Sequence, residues 1–265
     1  MFWVEIGKTT RRLRTWFFAV GLAGLALLPV ILLLHDHNPS GGGPPFYEMI
    51  RHNGLFAGLT AVALIQPFFL PLGAALLSGE TVATEASVGT LRYLLARPVG
   101  RRRLVGVKYG VVMTELAASV VWVMLLGLVA GGIAFGFGSL PTLSGSTIGV
   151  GAGALRLVGA ALYVLAGIAS VAAIGTFIST LTDSGPGATV ATVSLAIASE
   201  VLDGLSSLRA IHPYLPTHGW LAWTDLFRSP VAWDAIERGF ILDAIYTAVF
   251  LAAALAVFSR KDVAS

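Results

Sequence analysis

Apolar positions gather in six runs, near residues 16–34, 55–78, 109–135, 157–181, 188–208 and 239–258. Each is long enough for the roughly 20 helical residues that cross about 30 Å of hydrocarbon. Between the second and third runs the pattern changes: residues 80–108 hold eight charged side chains in 29 positions. Carrying Arg101, Arg102 and Arg103 to mid-membrane would cost roughly 3 kcal/mol each, so the two runs cannot be one continuous span. Read as a helix, residues 80–96 place Val88, Leu91, Leu94 and Leu95 at i, i+3, i+6 and i+7, with Glu85 and Arg92 on a more polar side. That pattern predicts an amphipathic helix lying parallel to the membrane or just below it. Pro98 disfavours helical geometry at Arg97 and ends the helix before the basic turn.

The remaining polar segments predict topology. Ahead of the first run, Phe2, Ile6 and Leu13 alternate with Lys8, Arg11, Arg12 and Arg14, the pattern of an amphipathic helix at the headgroup level. The run that follows is longer than a signal-peptide core, and LLLHDHN offers no small-residue cleavage site, so it is expected to be a retained first span. With residues 1–15, 79–108, 182–187 and 259–265 on one side, that side carries 12 of the 17 lysines and arginines, which predicts cytoplasmic termini. The outer segments 35–54 and 138–154 are expected to be flexible loops rich in small residues. Segment 208–239 differs, because Trp220, Trp223 and Trp233 with Leu221, Leu226 and Phe227 fit an interfacial or re-entrant element, and Pro213 and Pro216 forbid one straight helix. Small residues at Gly127/Gly131, Gly132/Gly136 and Ala188/Ala191/Ser194/Ala198 predict helix-packing faces, within the chain or between chains.

Composition sharpens this picture. The chain of 265 residues is 56% hydrophobic and 12% charged, about half the charge of a soluble domain, and its mean hydropathy is +0.82. The expected fold is therefore an all-α integral membrane protein of six transmembrane helices, organised as one domain over residues 1–265. The absence of cysteine excludes disulfides, thiolate metal sites and cysteine nucleophiles. A net charge of +3 and a pI near 9.4 do not point to nucleic acid, because the basic residues cluster beside apolar runs, as membrane topology requires. Arginine outnumbers lysine 14 to 3 and alanine is abundant, a coding bias expected of a GC-rich prokaryotic genome.

Ionisable groups in or near spans are expensive and call for a role: here Glu115, Glu200, Asp203 and Asp243, with Gln66 as a neutral companion. Glu115, seven residues after Lys108, is expected to pair with a basic side chain near the inner boundary. Glu200, Asp203 and Asp243 suit either a polar exit or simple interfacial solvation. Pro67, Phe68, Phe69 and Pro71 interrupt the second run and predict a bend. His35, Asp36, His37 and His52 are metal-ligating types, but a short flexible HxH without fixed partners does not make a site, and no metal is expected. If the acidic groups carried ions, the chain would be an ion-coupled secondary carrier; it lacks the internal repeat typical of such carriers. No acid pair or serine–histidine arrangement marks an enzyme.

The order of these features resembles a permease of the ATP-binding cassette superfamily, type-2 exporter class. The likeness runs along the whole chain in topology. Its most specific part is residues 78–108, where Glu85, Gly89, Thr90, Leu91, Leu95, Pro98, Arg101 and Lys108 match the family's Glu…Gly-Thr…Leu-Leu…Pro…Arg…Lys pattern. The resemblance implies a cytoplasmic coupling helix between spans two and three, seated in a groove of an ATP-binding subunit. Val88, Leu91 and Leu95 would supply the grip, Glu85 and Arg92 the register, and Gly89 a close approach of backbones, with Thr90 beside it in the coupling segment. It also implies that spans two and five line the transport path, with Gln66, Phe68, Phe69, Ser194 and Glu200 as substrate contacts. The partners implied are two ATP-binding subunits, which hold ATP and magnesium, a second permease chain, identical or paralogous, and membrane lipid. Gly7-Lys8-Thr9 is similar to the end of a phosphate loop but lacks its first glycine and preceding strand, and LSGE at 77–80 ends an apolar run, so no ATPase is expected on this chain.

Overall fold

The computed structural model describes residues 2–11, 13–35, 44–87 and 100–260. A short helix, α1 (Phe2–Thr10), leads into α2 (Leu13–His35). A 3₁₀ turn at Glu48–Arg51 precedes α3 (Leu55–Ile65) and α4 (Phe69–Ser87), and the long helices α5 (Arg101–Phe135) and α6 (Val150–Leu181) flank a small hairpin. The chain finishes with α7 (Gly185–Asp203), three 3₁₀ turns, and α8 (Trp233–Arg260). Five of these helices are long and apolar enough to cross a membrane, and α3 with α4 makes a sixth if the pair is taken as one broken span. The chain is a multi-pass, all-α membrane protein.

The break between α3 and α4 has a local cause. Pro67 and Pro71 lack the N–H that an uninterrupted helix would donate to the carbonyl one turn earlier, and the two halves bend by 58°. Almost every side chain of α3 is buried, as expected of a helix apolar on all faces that forms the centre of the bundle. Its close partner is α5. A Cβ on Gly58 would lie 2.7 Å from the Met124 carbonyl oxygen, and one on Gly127 would lie 2.8 Å from the Gly58 Cα, while Gly54 and Gly131 approach more closely still. The Gly127/Gly131 face therefore packs within the chain, backbone against backbone. At Gly136 the backbone turns left-handed (φ +73°), its N–H closes on Gly132 O, and α5 ends.

Two expectations need correction. Residues 80–87 do not open a separate helix, because α4 continues without a break to Ser87. No proline interrupts α4 after Pro71, and Gly79 is held against α7, where a Cβ would meet the Thr189 backbone nitrogen at 2.7 Å. The stripe Ala188/Ala191/Ser194/Ala198 divides: Ala188 is buried, whereas Ala191, Ser194 and Ala198 are exposed. Thr189, Thr192, Ala196 and Ser199, on a different side of the helix, form the face that α7 buries within the chain, which leaves the other three stripe residues to the between-chains alternative. Segment 138–154 is not a plain loop. Leu140–Pro141 pairs antiparallel with Thr147–Ile148, Gly145 adopts φ +81° at the turn, and Leu143 N–H bonds to Phe227 O.

The outer segment between α7 and α8 folds inward. Trp220, Trp223, Leu226 and Phe227 are buried, while Trp233, at the start of α8, is half exposed. Of the interfacial or re-entrant alternatives, Trp233 keeps the exposure of an interfacial residue, while Trp220 and Trp223 turn into the bundle. Trp223 is held by an aromatic cluster in which Phe46 meets Phe56 at 5.5 Å, Trp223 at 5.8 Å and Phe227 at 5.1 Å between ring centroids.

Candidate coupling junction and buried polar groups

At the end of the bundle that carries α1, helices α1, α4 and α5 meet around one buried cation. Lys108, on the second turn of α5, is 6% exposed; its Nζ lies 2.8 Å from Glu85 Oε1 of α4 and 4.0 Å from Glu5 Oε2 of α1. A buried ammonium is tolerated only with such company. The Phe2 ring rests on Gly110, which helps hold α1 along α5. Arg14, at the start of α2, pairs with Glu80 one turn earlier on α4. The same stretch of α4 is tied to α6 by Ser179 Oγ, which accepts the N–H groups of Val82 and Ala83, both at 3.0 Å. Val82 joins Leu104, Val105, Ala254 and Phe258 in a small apolar core separate from the main one. Arg101 reaches the Ser259 carbonyl of α8 at 3.4 Å. The last two turns of α4 are therefore fixed to α1, α2, α5 and α6 just before the chain enters segment 88–99.

Of the residues that the family resemblance assigns to coupling, Glu85 lies in this junction. Val88, Gly89, Thr90, Leu91, Arg92 and Leu95 lie outside the described residues. The sequence pattern marked Lys108 without revealing that it is the buried centre of the junction; a lone lysine inside a long apolar helix was the available signal.

The family of this chain follows from comparison with known proteins, where residues 27–264 match the family described as "Protein of unknown function (DUF2705)". The chain belongs to this family. The match includes Glu85 and Lys108 and begins after Glu5 and Arg14. No curated protein matches the chain.

The polar residues expected along a transport path are not gathered in one place. Gln66, at the α3–α4 break, is buried: its Nε2 donates to Trp220 O at 2.7 Å and its Oε1 accepts from Trp223 Nε1 at 2.8 Å. It is a strut that fastens the folded-in outer segment to the bend. Phe68 is half exposed and meets Phe69 edge-on at 5.2 Å, Ser194 points out of the bundle, and Glu200 is half-buried. No hydrogen bond joins these residues to one another among the described residues.

Asp203, at the end of α7, binds the outer segment through His218 Nδ1 at 2.7 Å, and His212 Nδ1 is 3.8 Å away. Ser199 and Thr217 make a parallel link at 2.7 Å. Both histidines escaped the sequence reading, because only the folded 3₁₀ turns bring HPYLPTH back over α7. Asp243 also departs from expectation. At 2% exposure it is not solvated at an interface; it is enclosed against α6, with Ser170 as a hydrogen-bonding neighbour and Gly167 leaving room for its carboxyl. Among the described residues it forms no ion pair. Nearby, Gly239 admits the Tyr163 hydroxyl, which donates to Gly219 O at 2.9 Å. No three histidine or acidic groups among the described residues are placed to hold a metal ion.

A lateral groove of about 440 Å³ opens between α2, α4 and α5. Phe18, Leu76, Leu77 and Trp122 form its walls, and Arg14 and Glu115 lie in its lining.

Proposed function

We propose that this chain is the transmembrane subunit of an ATP-driven exporter of the ATP-binding cassette type-2 class. In this reading six spans in the cell membrane of a prokaryote, both termini cytoplasmic, form the translocation path. Segment 88–98 couples them to a separate ATP-binding subunit, present twice in a complex with a second permease chain. The chain itself carries no hydrolytic chemistry. One observation carries the proposal: α4 runs on past its apolar part to Ser87 and is clamped there by Lys108–Glu85 and Arg14–Glu80, directly before the residues that match the coupling pattern. A stiff, anchored stem is what a lever needs to convey force from a motor to a membrane bundle. In the bent second span and in α7, Phe68, Phe69, Ser194 and Glu200 would meet substrate once the path opens, and Gln66 would join them on release of the outer segment.

The test is co-purification of this chain with an ATP-binding cassette subunit. Leu91→Asp or Leu95→Asp is expected to abolish assembly while the unfolding midpoint of the spans stays unchanged; assembly at the wild-type level in both variants would refute the coupling face. A second reading, an ion-coupled secondary carrier, draws support from Asp243, a carboxyl enclosed in the bundle. Sustained transport by the chain alone in ATP-free liposomes would favour it.

A further inference from the structure

We propose that Asp243 is a proton-binding site within the bundle: its carboxyl carries a proton and donates it to Ser170 Oγ. Asp243 is the only fully buried aspartate among the described residues. Its Oδ1 has no hydrogen-bond partner there, and no lysine, arginine or histidine pairs with it. Ionised, it would be an enclosed charge with neither a cation nor a directed donor, a state that costs more than taking up a proton.

The hydrogens around it can be counted. Ser170 donates to Gly167 O at 2.6 Å, and a hydroxyl has one hydrogen. Its contact with Asp243 is therefore a hydrogen bond only when the carboxyl is the donor, which a carboxylate cannot be. The other titratable groups of the packed elements are engaged elsewhere. Tyr163 of α6 donates to Gly219 O at 2.9 Å, Tyr109 of α5 to Ala169 O at 3.1 Å, and Tyr246 of α8 itself to Tyr214 O at 2.7 Å. In the outer segment, His212 and His218 meet Asp203 instead. A donor left open is Trp220 Nε1, buried and also without a partner among the described residues. It shares a notch with the acid, since a Cβ on Gly167 would lie 3.3 Å from Trp220 Nε1 and 3.5 Å from Asp243 Oδ2. An indole N–H beside the carboxyl opposes a metal cation. With 2% of its surface accessible, Asp243 also has almost no water-sized space beside it, whereas a proton needs no volume. The proton is thus held between α6 and α8, beside the segment whose Trp220 carbonyl Gln66 fastens.

Infrared spectroscopy of the full chain in lipid bilayers at neutral pH tests the site. The wild type is expected to show the C=O stretch of a protonated carboxylic acid, on the high-frequency side of the amide band, and Asp243→Asn to lose it. Glu200→Gln, at a half-buried acid of α7, is expected to leave that band in place. Ser170→Ala is expected to move it to higher frequency, because the carboxyl loses the oxygen to which it donates. If Asp243→Asn does not fold, isotope-labelled aspartate in the wild type makes the same assignment, and the band must then shift to lower frequency. Absence of the band from the wild type, its persistence in Asp243→Asn, or an unmoved band in Ser170→Ala would overturn the proposal. So would its loss when sodium replaces choline at constant pH, the result expected of a metal-cation site. The site rests on neither the exporter nor the carrier reading, and its readout needs no substrate and no ATP-binding subunit.

Discussion

The two ends of the bundle are held together by opposite kinds of chemistry. At the end carrying α1, ion pairs do the work: Lys108 with Glu85 and Glu5, and Arg14 with Glu80. At the other end, Phe46, Phe56, Trp223 and Phe227 interlock, and Gln66 sews two tryptophans to the α3–α4 bend. Close-packed rings have few alternative arrangements and hold one geometry. Ion pairs between separate helices can exchange partners when a helix shifts or another charge arrives. The contrast teaches that the end carrying α1 can exchange contacts between helices, while the aromatic end holds one arrangement.

Removing the aromatic lock tests the contrast most severely. Trp223→Ala deletes a fully buried ring and strips Gln66 Oε1 of its donor, and is expected to cost about 3–5 kcal/mol. The check is a shift in the unfolding midpoint in mixed micelles. Next comes the buried cation. Lys108→Ala removes the buried cation between Glu85 and Glu5 and is expected to cost about 3 kcal/mol, while Lys108→Met with Glu85→Gln recovers most of the loss. A double-mutant cycle on the same unfolding signal decides it, and additive losses would mean that the pair is not coupled. The smallest effect belongs to Arg14→Gln. Arg14 is 45% exposed, so breaking its pair with Glu80 is expected to change stability by less than about 1 kcal/mol. A loss as large as that for Lys108 would show that the outer rim of this end is as rigid as its centre.

Much of the helical plan was legible because bilayer crossing leaves a strong record: long apolar runs broken by arginines, a proline pair at the bend, and Gly127/Gly131 at a packing face. Residues whose roles depend on partners far along the chain were not legible. Gln66 looked like a path residue because nothing local announces a tryptophan 157 positions away. Asp243 looked interfacial because it lies near the end of an apolar run, yet Gly167 of α6 gives it a pocket. The separate helix expected from residue 80 failed for a different reason: a change from apolar to polar side chains alters what a helix faces without breaking its backbone hydrogen bonds.

Sequence alone determined that this chain is a multi-pass helical membrane protein and where its second apolar run bends, since desolvating charge and losing backbone N–H groups carry large local penalties. Tertiary structure alone decided which polar side chains became struts, clamps or enclosed acids. Those roles depend on which atoms meet across helices, and a one-dimensional pattern holds periodicity but not those distances.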